Sequence, residues 1–153
     1  MKFTCHKNMK YTVETTINLP RQKVIELFDN PENLKHWMEG LISFEHLSGA
    51  PGMVGAKSKL TFQMGKRRME LIETITRRDL PDEFSGTYEA NGVFNIQRNR
   101  FEIIDQNSTR YISETEFKFK GFMKILAFLM PGAFKKQSMK YLLDFKKFAE
   151  SHT

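Results

Sequence analysis

The sequence predicts an α+β domain in which a curved, seven-stranded antiparallel sheet wraps around a long C-terminal helix. Between positions 134 and 149 most apolar residues recur three, four or seven positions apart, which is the spacing that lines one face of a helix. The segments before it read mainly as short strands that alternate apolar and polar residues. Two short helical segments separate the first strand from the second. The length of 153 residues predicts one domain, spanning 1–153.

The first strand is predicted at 11–19 and leads into the two short helices. Pro20 suits the first turn of a helix, where its missing N–H costs nothing. Pro31 ends that helix, because helical geometry is disfavoured in the residue before a proline. Asn30 can then cap a second short helix, whose inner face carries Trp37.

Six further strands follow and are joined mainly by tight turns. Gly65–Lys66 and Asn91–Gly92 are hairpin signals, and the second pair predicts a type I′ turn. The glycine-rich segment 49–55 is interpreted as a hairpin connection, since no Gly-Lys-Ser/Thr follows it and no helix starts there. The six strands are predicted at 41–47, 57–64, 69–76, 83–90, 93–104 and 109–119.

The C-terminal segment divides at Pro131–Gly132, where a kink or break is predicted. The main helix is predicted from Phe134 to Ala149, and a short apolar helix precedes the break. Three interpretations of 122–131 stay open. It forms a mobile lid, or it packs as core at the sheet edge, or it touches a membrane while Lys135 and Lys136 face anionic head groups.

Composition excludes several classes of protein. The formal charge is +6, but the basic residues are spread along the chain without an RNA-binding or zinc-finger pattern, so no nucleic-acid partner is predicted. One cysteine, Cys5, excludes an intramolecular disulfide and fits a reducing compartment. The polar N-terminus does not resemble a secretory signal, and a cytoplasmic location is predicted. Both a monomer and a homodimer remain open.

Strand alternation predicts which side chains face the long helix. If Phe101 and Ile103 point inward, the polar side chains two, four and six positions earlier do so as well. A dry core would not tolerate so many polar groups, so a solvated or ligand-filled cavity is predicted. A register slip would instead turn 95–99 to the surface. The same reasoning from the apolar neighbours on each strand gives an inward set of Glu73, Tyr88, Asn95, Gln97, Asn99, Tyr111, Ser113 and Thr115.

The titratable residues give no clear catalytic pattern. The histidines, His6, His36, His46 and His152, lack a metal-ligand spacing, so neither a metal nor a cofactor is expected. Glu73 is a weak catalytic candidate, because an apolar cavity raises the pKa of a carboxyl group and a tyrosine nearby could stabilise an oxyanion. Anchoring of a ligand by Glu73, or its pairing with an arginine at the surface, is favoured over catalysis.

Several stretches resemble known proteins. Leu19-Pro20-Arg21-x-x-Val24-Ile25-x-Leu27-Phe28-Asp29, followed by Leu34-x-x-Trp37, is similar to the opening of bacterial polyketide cyclase and lipid-transport-like proteins. Glu114-x-Glu116-Phe117-x-x-x-Gly121-Phe122 and the Phe145-Lys-Lys-Phe148 ending fit the same superfamily, which includes START lipid-transfer domains and birch-pollen-type allergens. The resemblance covers nearly the whole chain and implies the helix-grip fold. It also implies a cavity between the sheet and the long helix, opening near the short helices or neighbouring loops.

The combined prediction is a protein that binds a small to medium hydrophobic ligand, lipid-, polyketide- or steroid-like, without catalysis. The alternatives are a cyclase or aldol-type enzyme that uses a cavity carboxylate, and a lipid-transfer protein that acts at a membrane surface. The predicted ligand-binding residues are Trp37, Phe62, Glu73, Tyr88, Asn95, Gln97, Asn99, Tyr111, Phe117, Met139 and Leu142.

Overall fold

The computed structural model describes residues 8–152. Cys5 and His6, considered above, lie outside the described residues. All seven predicted strands and both short helical segments are present, with a short 3-10 turn at Pro31–Asn33 before the second helix. The elements are β1 Met9–Ile17, α1 Arg21–Phe28, α2 Leu34–Trp37, β2 Leu41–Ser48, β3 Lys57–Met64, β4 Arg67–Asp79, β5 Glu83–Ala90, β6 Val93–Asp105, β7 Ser108–Phe119, α3 Phe122–Leu129 and α4 Pro131–Glu150.

The seven strands form one antiparallel sheet in the order β1-β7-β6-β5-β4-β3-β2. Strands β2 to β7 are a meander, and β1 pairs with β7, so β1 and β2 are the two edges. The register shifts in β2, β4 and β6, for example between Ile75 and Arg77. Such irregularities bend strands, and they occur here in a sheet that curves around α4. The predicted fold class is confirmed.

The C-terminal helix begins earlier than its apolar stripe indicates. The break near Pro131 is confirmed, because Met130 has non-helical torsion angles, φ −131° and ψ 57°, between α3 and α4. The predicted start at Phe134 is wrong, since α4 starts at Pro131 itself. Proline is favoured at the first helical position, so Pro131 initiates the helix instead of lying in the break.

The turn at Asn91–Gly92 joins β5 and β6 as predicted, but its type differs. Type I′ requires a positive φ at both central residues. Among the described residues only glycines have positive φ, so Asn91 does not meet this requirement, while Gly92 has φ +77°. The prediction of a type I′ turn is therefore wrong.

An aromatic cluster fills one end of the space between sheet and helix. Phe28 of α1 lies at its centre, with ring centroids 4.9 Å from Phe101, 5.7 Å from Phe145 and 6.1 Å from Trp37. Phe145 is fully buried on α4 and also contacts Tyr111. This cluster connects the sheet with α1, α2 and α4, and it belongs to the hydrophobic core.

A second, smaller aromatic cluster lies near the start of α4. Phe134 of α4 packs on Phe117 and Phe119 of β7, at centroid distances of 5.0 and 5.1 Å. Eleven positions separate Phe134 from Phe145, which corresponds to about 16 Å along a helix. Several polar residues lie on the inner face of the sheet between the two clusters.

Ion pairs fasten the short helices to the rest of the fold. Asp29, at the end of α1, accepts two hydrogen bonds from Arg78 of β4, at 2.7 and 2.5 Å. Lys140 of α4 lies 2.9 Å from a carboxylate oxygen of Glu39, just after α2.

None of the helices in the described part of the chain is both long enough and apolar enough to cross a bilayer.

Candidate ligand-binding site

Three rows of polar side chains run across the inner face of the sheet, and we call them the polar belt. In the first row the cross-strand register places Glu73 beside Tyr88, and Tyr88 beside Asn95. Ser58 continues this row onto β3, and Phe117 continues it onto β7. Cross-strand neighbours on one face lie about 5 Å apart, so the row is continuous.

The second and third rows follow from the same register. Gln97 of β6 pairs with Thr115 of β7, and Thr115 with Tyr11 of β1. Asn99 pairs with Ser113 in the next row. The prediction that 95, 97 and 99 share the inner face is confirmed by this register and by the burial of Asn99, which is 3% exposed.

Hydrogen bonds connect part of the belt to itself and to α4. Gln97 Nε2 donates to Ser113 Oγ at 3.2 Å, and the Tyr111 hydroxyl donates to Asn99 Oδ1 at 3.0 Å. The Tyr11 hydroxyl donates to the carbonyl of Phe134 at 3.0 Å and lies 2.6 Å from Ser138 Oγ. The belt is thus a hydrogen-bonded wall that α4 also contacts.

Glu73 and Tyr88 are neighbouring titratable residues of the polar belt. Desolvation by burial raises the pKa of Glu73, and the Tyr88 hydroxyl opposes this with a smaller effect as a hydrogen-bonding partner of the carboxyl group. Burial also raises the pKa of Tyr88 well above its ordinary value, and the neighbouring carboxylate raises it further. Burial alone raises the pKa of Tyr111. Both tyrosines therefore remain protonated at neutral pH.

The belt borders a concave space. Glu73, Tyr88, Asn95 and Gln97 each keep some accessible surface. Nevertheless, the surrounding atoms desolvate Glu73 and Tyr88 enough to raise their pKa. Partial exposure combined with desolvation fits side chains on the inner, concave face of a sheet that curves around a helix. We call the space between the belt and α4 the inner hollow.

Some buried polar atoms at this space lack a partner. Within residues 8–152, Asn95 Oδ1 on the belt and Gln137 Nε2 on α4 have no hydrogen-bond partner. Phe117, beside Asn95 in the register, packs on Phe134, one helical turn before Gln137. Buried polar groups in proteins are nearly always paired. These atoms are therefore suited to pairing with a bound molecule, Asn95 as an acceptor and Gln137 as a donor.

The structure divides the predicted site residues into two groups. Glu73, Tyr88, Asn95 and Gln97 lie together on the belt, and Asn99 lies buried beside them, while half-buried Phe117 extends their first row. The others lie in packed surroundings, Trp37, Tyr111 and Leu142 within the hydrophobic core, Met139 packed against it and Phe62 buried on β3.

Two residues used to infer the inner face are not buried. Ile103 is 62% exposed, so it is not part of the buried core although it lies two positions after Phe101. It stands at the end of β6, immediately before the register shift at Ile103/Asp105, and borders an open groove beside α1. Met69 pairs with buried Phe62 but is 45% exposed, because it lies near the hairpin tip beyond the cover of α4.

Polar residues of α4 complete the site and were missed by the sequence analysis. Gln137, Ser138 and Tyr141 lie three, four and seven positions after Phe134, and all three are half-buried. The helical spacing places them on the Phe134 face, but the stripe was judged from its apolar members alone.

A separate open groove of about 990 Å³ lies on the outside of α1. Its walls come from α1, the β4–β5 loop and the end of β6, including Arg21, Ile25, Leu80 and Ile103. None of the predicted ligand-binding residues lines it. The polar belt and this groove are therefore distinct features of the molecule.

The histidines do not form a site. His36 is exposed and stacks on Phe148, and His46 hydrogen-bonds with the carbonyl of Gly49. The residues described in the structure contain no group of three or more histidine, cysteine, aspartate or glutamate side chains arranged to hold a metal ion.

Known structures resemble this fold closely despite low sequence identity. The Zhui aromatase/cyclase from a Streptomyces species has a TM-score of 0.78 at 11% identity, with 94% of each chain covered. Truncated norcoclaurine synthase from Thalictrum flavum has 0.75 at 15% identity over the whole of both chains, and another structure of that synthase holds dopamine and hydroxybenzaldehyde. Ara h 8.0201 has 0.74 at 15% identity, with 94% of this chain and 99% of that one covered.

These likenesses establish the helix-grip fold. No family model matches the sequence, and the search of curated proteins finds no significant match. The resemblance to the polyketide cyclase and lipid-transport-like superfamily, inferred from short stretches of sequence, is thus confirmed at the level of the fold.

Proposed function

We propose that this protein binds a small to medium hydrophobic molecule in the inner hollow and does so without catalysis. The single observation that carries the proposal is the polar belt, which spans several strands under α4 and keeps accessible polar groups between two aromatic clusters. Burying such a belt without solvent or ligand would cost free energy. Binding sites for small molecules are commonly apolar with a few placed polar groups.

The belt also indicates the chemistry of the ligand. The two aromatic clusters favour an apolar or aromatic body. Asn95 Oδ1 accepts a hydrogen bond, whereas Gln137 Nε2 donates one. A ligand that carries a hydroxyl group satisfies both kinds of atom. The names of two solved relatives, an aromatase/cyclase and a synthase bound to dopamine and hydroxybenzaldehyde, support an aromatic ligand with oxygen substituents.

Titration of ¹⁵N-labelled protein with 2-naphthol, which has an aromatic body and one hydroxyl group, tests this proposal. We expect the largest amide shift changes around Glu73, Tyr88 and Gln97. Leu71→Trp should abolish them, because Leu71 is half-buried on the inner face and a larger side chain would fill the hollow. Ile72→Trp, one position along on the opposite face, is the matched control. Shift changes confined to the groove outside α1 would contradict the proposal.

Proton transfer by Glu73 is a second candidate function, favoured by the raised pKa of its carboxyl group. The arrangement of the tyrosines counts against it, since the Tyr111 hydroxyl donates its hydrogen bond to Asn99 Oδ1 and the Tyr88 hydroxyl hydrogen-bonds with Glu73. Neither hydroxyl is then free to stabilise an oxyanion.

Ring opening of 5-nitrobenzisoxazole tests this candidate, because a carboxylate removes one proton from carbon while the N–O bond breaks to give a coloured phenolate. Glu73→Gln should abolish any turnover and leave 2-naphthol binding intact. Glu70→Gln, at an exposed position on the same strand, is the control. Equal rates for the two variants would exclude Glu73 as the base.

A further inference from the structure

Helix α3 presents an apolar face to solvent. Phe122, Ile125 and Leu129 recur at helical spacing, and we call these three residues the docking face. Phe122 is 70% exposed and Leu129 is 68% exposed. The opposite side of the helix, with Met123, Leu126 and Ala127, is less exposed.

Core packing does not account for this face. An amphipathic helix on a protein surface normally exposes polar residues and buries apolar ones. Helix α3 is apolar on both sides, and Lys124 is its one charged residue. Extended apolar patches on a protein surface generally mark sites of interaction. Something other than the core of this chain is therefore expected to cover the docking face.

The charged residues that flank the docking face in the sequence have one sign. From Phe117 to Leu143 the sequence contains six lysines and neither aspartate nor glutamate. Lys140 is neutralised by Glu39 and Asp144. The others precede α3, lie on it or lie in the first turns of α4, and they are Lys118, Lys120, Lys124, Lys135 and Lys136.

We propose that α3 and the first turn of α4 dock on the surface of a membrane that contains anionic lipids. The docking face inserts into the boundary between head groups and acyl chains, while Lys124, Lys135 and Lys136 contact the anionic head groups. Apolar insertion and lysine attraction are each weak alone and combine at such a surface. The inference does not depend on the proposed ligand, because no residue of the polar belt takes part.

Helix α3 lies beside the β5–β6 turn, at the same end of the fold as the second aromatic cluster. The helix follows directly after β7, and Met123 lies 3.0 Å from the point where a Cβ atom would stand on Gly92 in the β5–β6 turn. A membrane on the docking face thus lies at the end of the fold that holds the Phe117–Phe119–Phe134 cluster.

A bilayer fits these residues better than a second copy of the chain does. Self-association through α3 would bring the lysines of both copies together, and like charges repel. Anionic lipids instead supply the complementary charge over an extended surface. Binding of a second copy at the docking face would be detected as self-association of the chain.

Vesicle flotation tests the proposal. The protein should float with vesicles made of equal parts phosphatidylcholine and phosphatidylserine, but not with phosphatidylcholine alone. Raised salt should weaken this binding, since it screens exposed charges. Ile125→Ser should weaken binding at least about fivefold, because one isoleucine side chain leaves the apolar contact. Ile103→Ser, at a similarly exposed isoleucine far from α3, should bind as the unchanged protein does.

The lysines are tested by reversal of charge. Lys135→Glu combined with Lys136→Glu should weaken binding to the anionic vesicles about tenfold or more. Lys147→Glu near the other end of α4 is the control, about 18 Å from Lys135 along the helix. Thermal unfolding and 2-naphthol binding of each variant show that the fold and the inner hollow are intact.

Absence of flotation with anionic vesicles would overturn the proposal. So would equal binding by the Ile125→Ser and Ile103→Ser variants. Sedimentation velocity tests the alternative that a second copy of the chain binds the docking face. If the unchanged protein is a dimer that does not float, and Ile125→Ser dissociates this dimer, the docking face serves self-association.

Discussion

Asn95 and Asn99 lie on the same face of β6 and differ in their partners. Asn99 Oδ1 accepts a hydrogen bond from Tyr111, whereas Asn95 Oδ1 is buried without a partner among the described residues. Strand alternation predicted the direction of both side chains. It could not predict this difference, because a hydrogen bond depends on which residues β7 places opposite each asparagine.

Leucine substitutions separate the two roles. Asn95→Leu should raise the free energy of unfolding by about 1 kcal/mol, because it removes an unpaired buried acceptor, and should weaken 2-naphthol binding. Asn99→Leu should lower the free energy of unfolding by about 1–3 kcal/mol, because it leaves the Tyr111 hydroxyl unpaired. Urea denaturation measures both changes. A loss of stability in Asn95→Leu equal to that in Asn99→Leu would show that Asn95 has a purely structural role.

The pKa of Glu73 predicts the sign of a pH effect on stability. A carboxyl group whose pKa rises on folding holds its proton more tightly in the folded chain. The resulting stabilisation is present below the ordinary value of 4.5 and is lost as the pH rises through the raised value. Glu73→Gln stays neutral, so it should be more stable than the unchanged protein at pH 7.

Thermal unfolding of the Glu73→Gln variant across the acidic range tests that sign. The advantage of the variant should shrink as the pH falls towards 4.5 and Glu73 becomes protonated in both states. Glu70→Gln serves as the control at an exposed position. A constant difference between Glu73→Gln and the unchanged protein at every pH would show that the pKa of Glu73 is not raised.

At the scale of elements, the sequence predicted the strands better than their ends. Hairpin signals and alternation identified all seven strands, because each pattern is local. The exposure of Ile103 was not predicted, because it lies at the end of β6 beside a register shift that depends on the pairing of β6 with β7. The start of α4 was misplaced because the analysis followed apolar spacing rather than the preference of Pro131 for the first helical position.

Packing between α4 and the sheet can be tested on the helix itself. Phe145→Ala should lower the free energy of unfolding by about 3–5 kcal/mol, because Phe145 is fully buried among aromatic rings. Leu143→Ala, two positions earlier on the same helix, should change it by no more than about 0.5 kcal/mol, since Leu143 is 49% exposed. Urea denaturation with equal losses in the two variants would contradict the assignment of the inner face of α4.

At the scale of the whole molecule, the same fold is reached by sequences that share 11–15% identity with this one. The fold can be predicted because the order of elements and their apolar patterns survive such divergence. The candidate site is less predictable, because it combines side chains of β4, β5, β6 and α4 whose proximity follows from the cross-strand register. Gln137 is an example, because its amide belongs to the candidate site only through the position of α4 over the sheet.

The central claim is that the inner hollow binds a hydrophobic molecule, and native mass spectrometry of the protein purified from its own host tests it most directly. We predict a discrete added mass that is released on denaturation. The added mass should be absent from the Leu71→Trp variant and present in Ile72→Trp. A bare protein mass for the unchanged chain, or an added mass that survives Leu71→Trp, would contradict the claim.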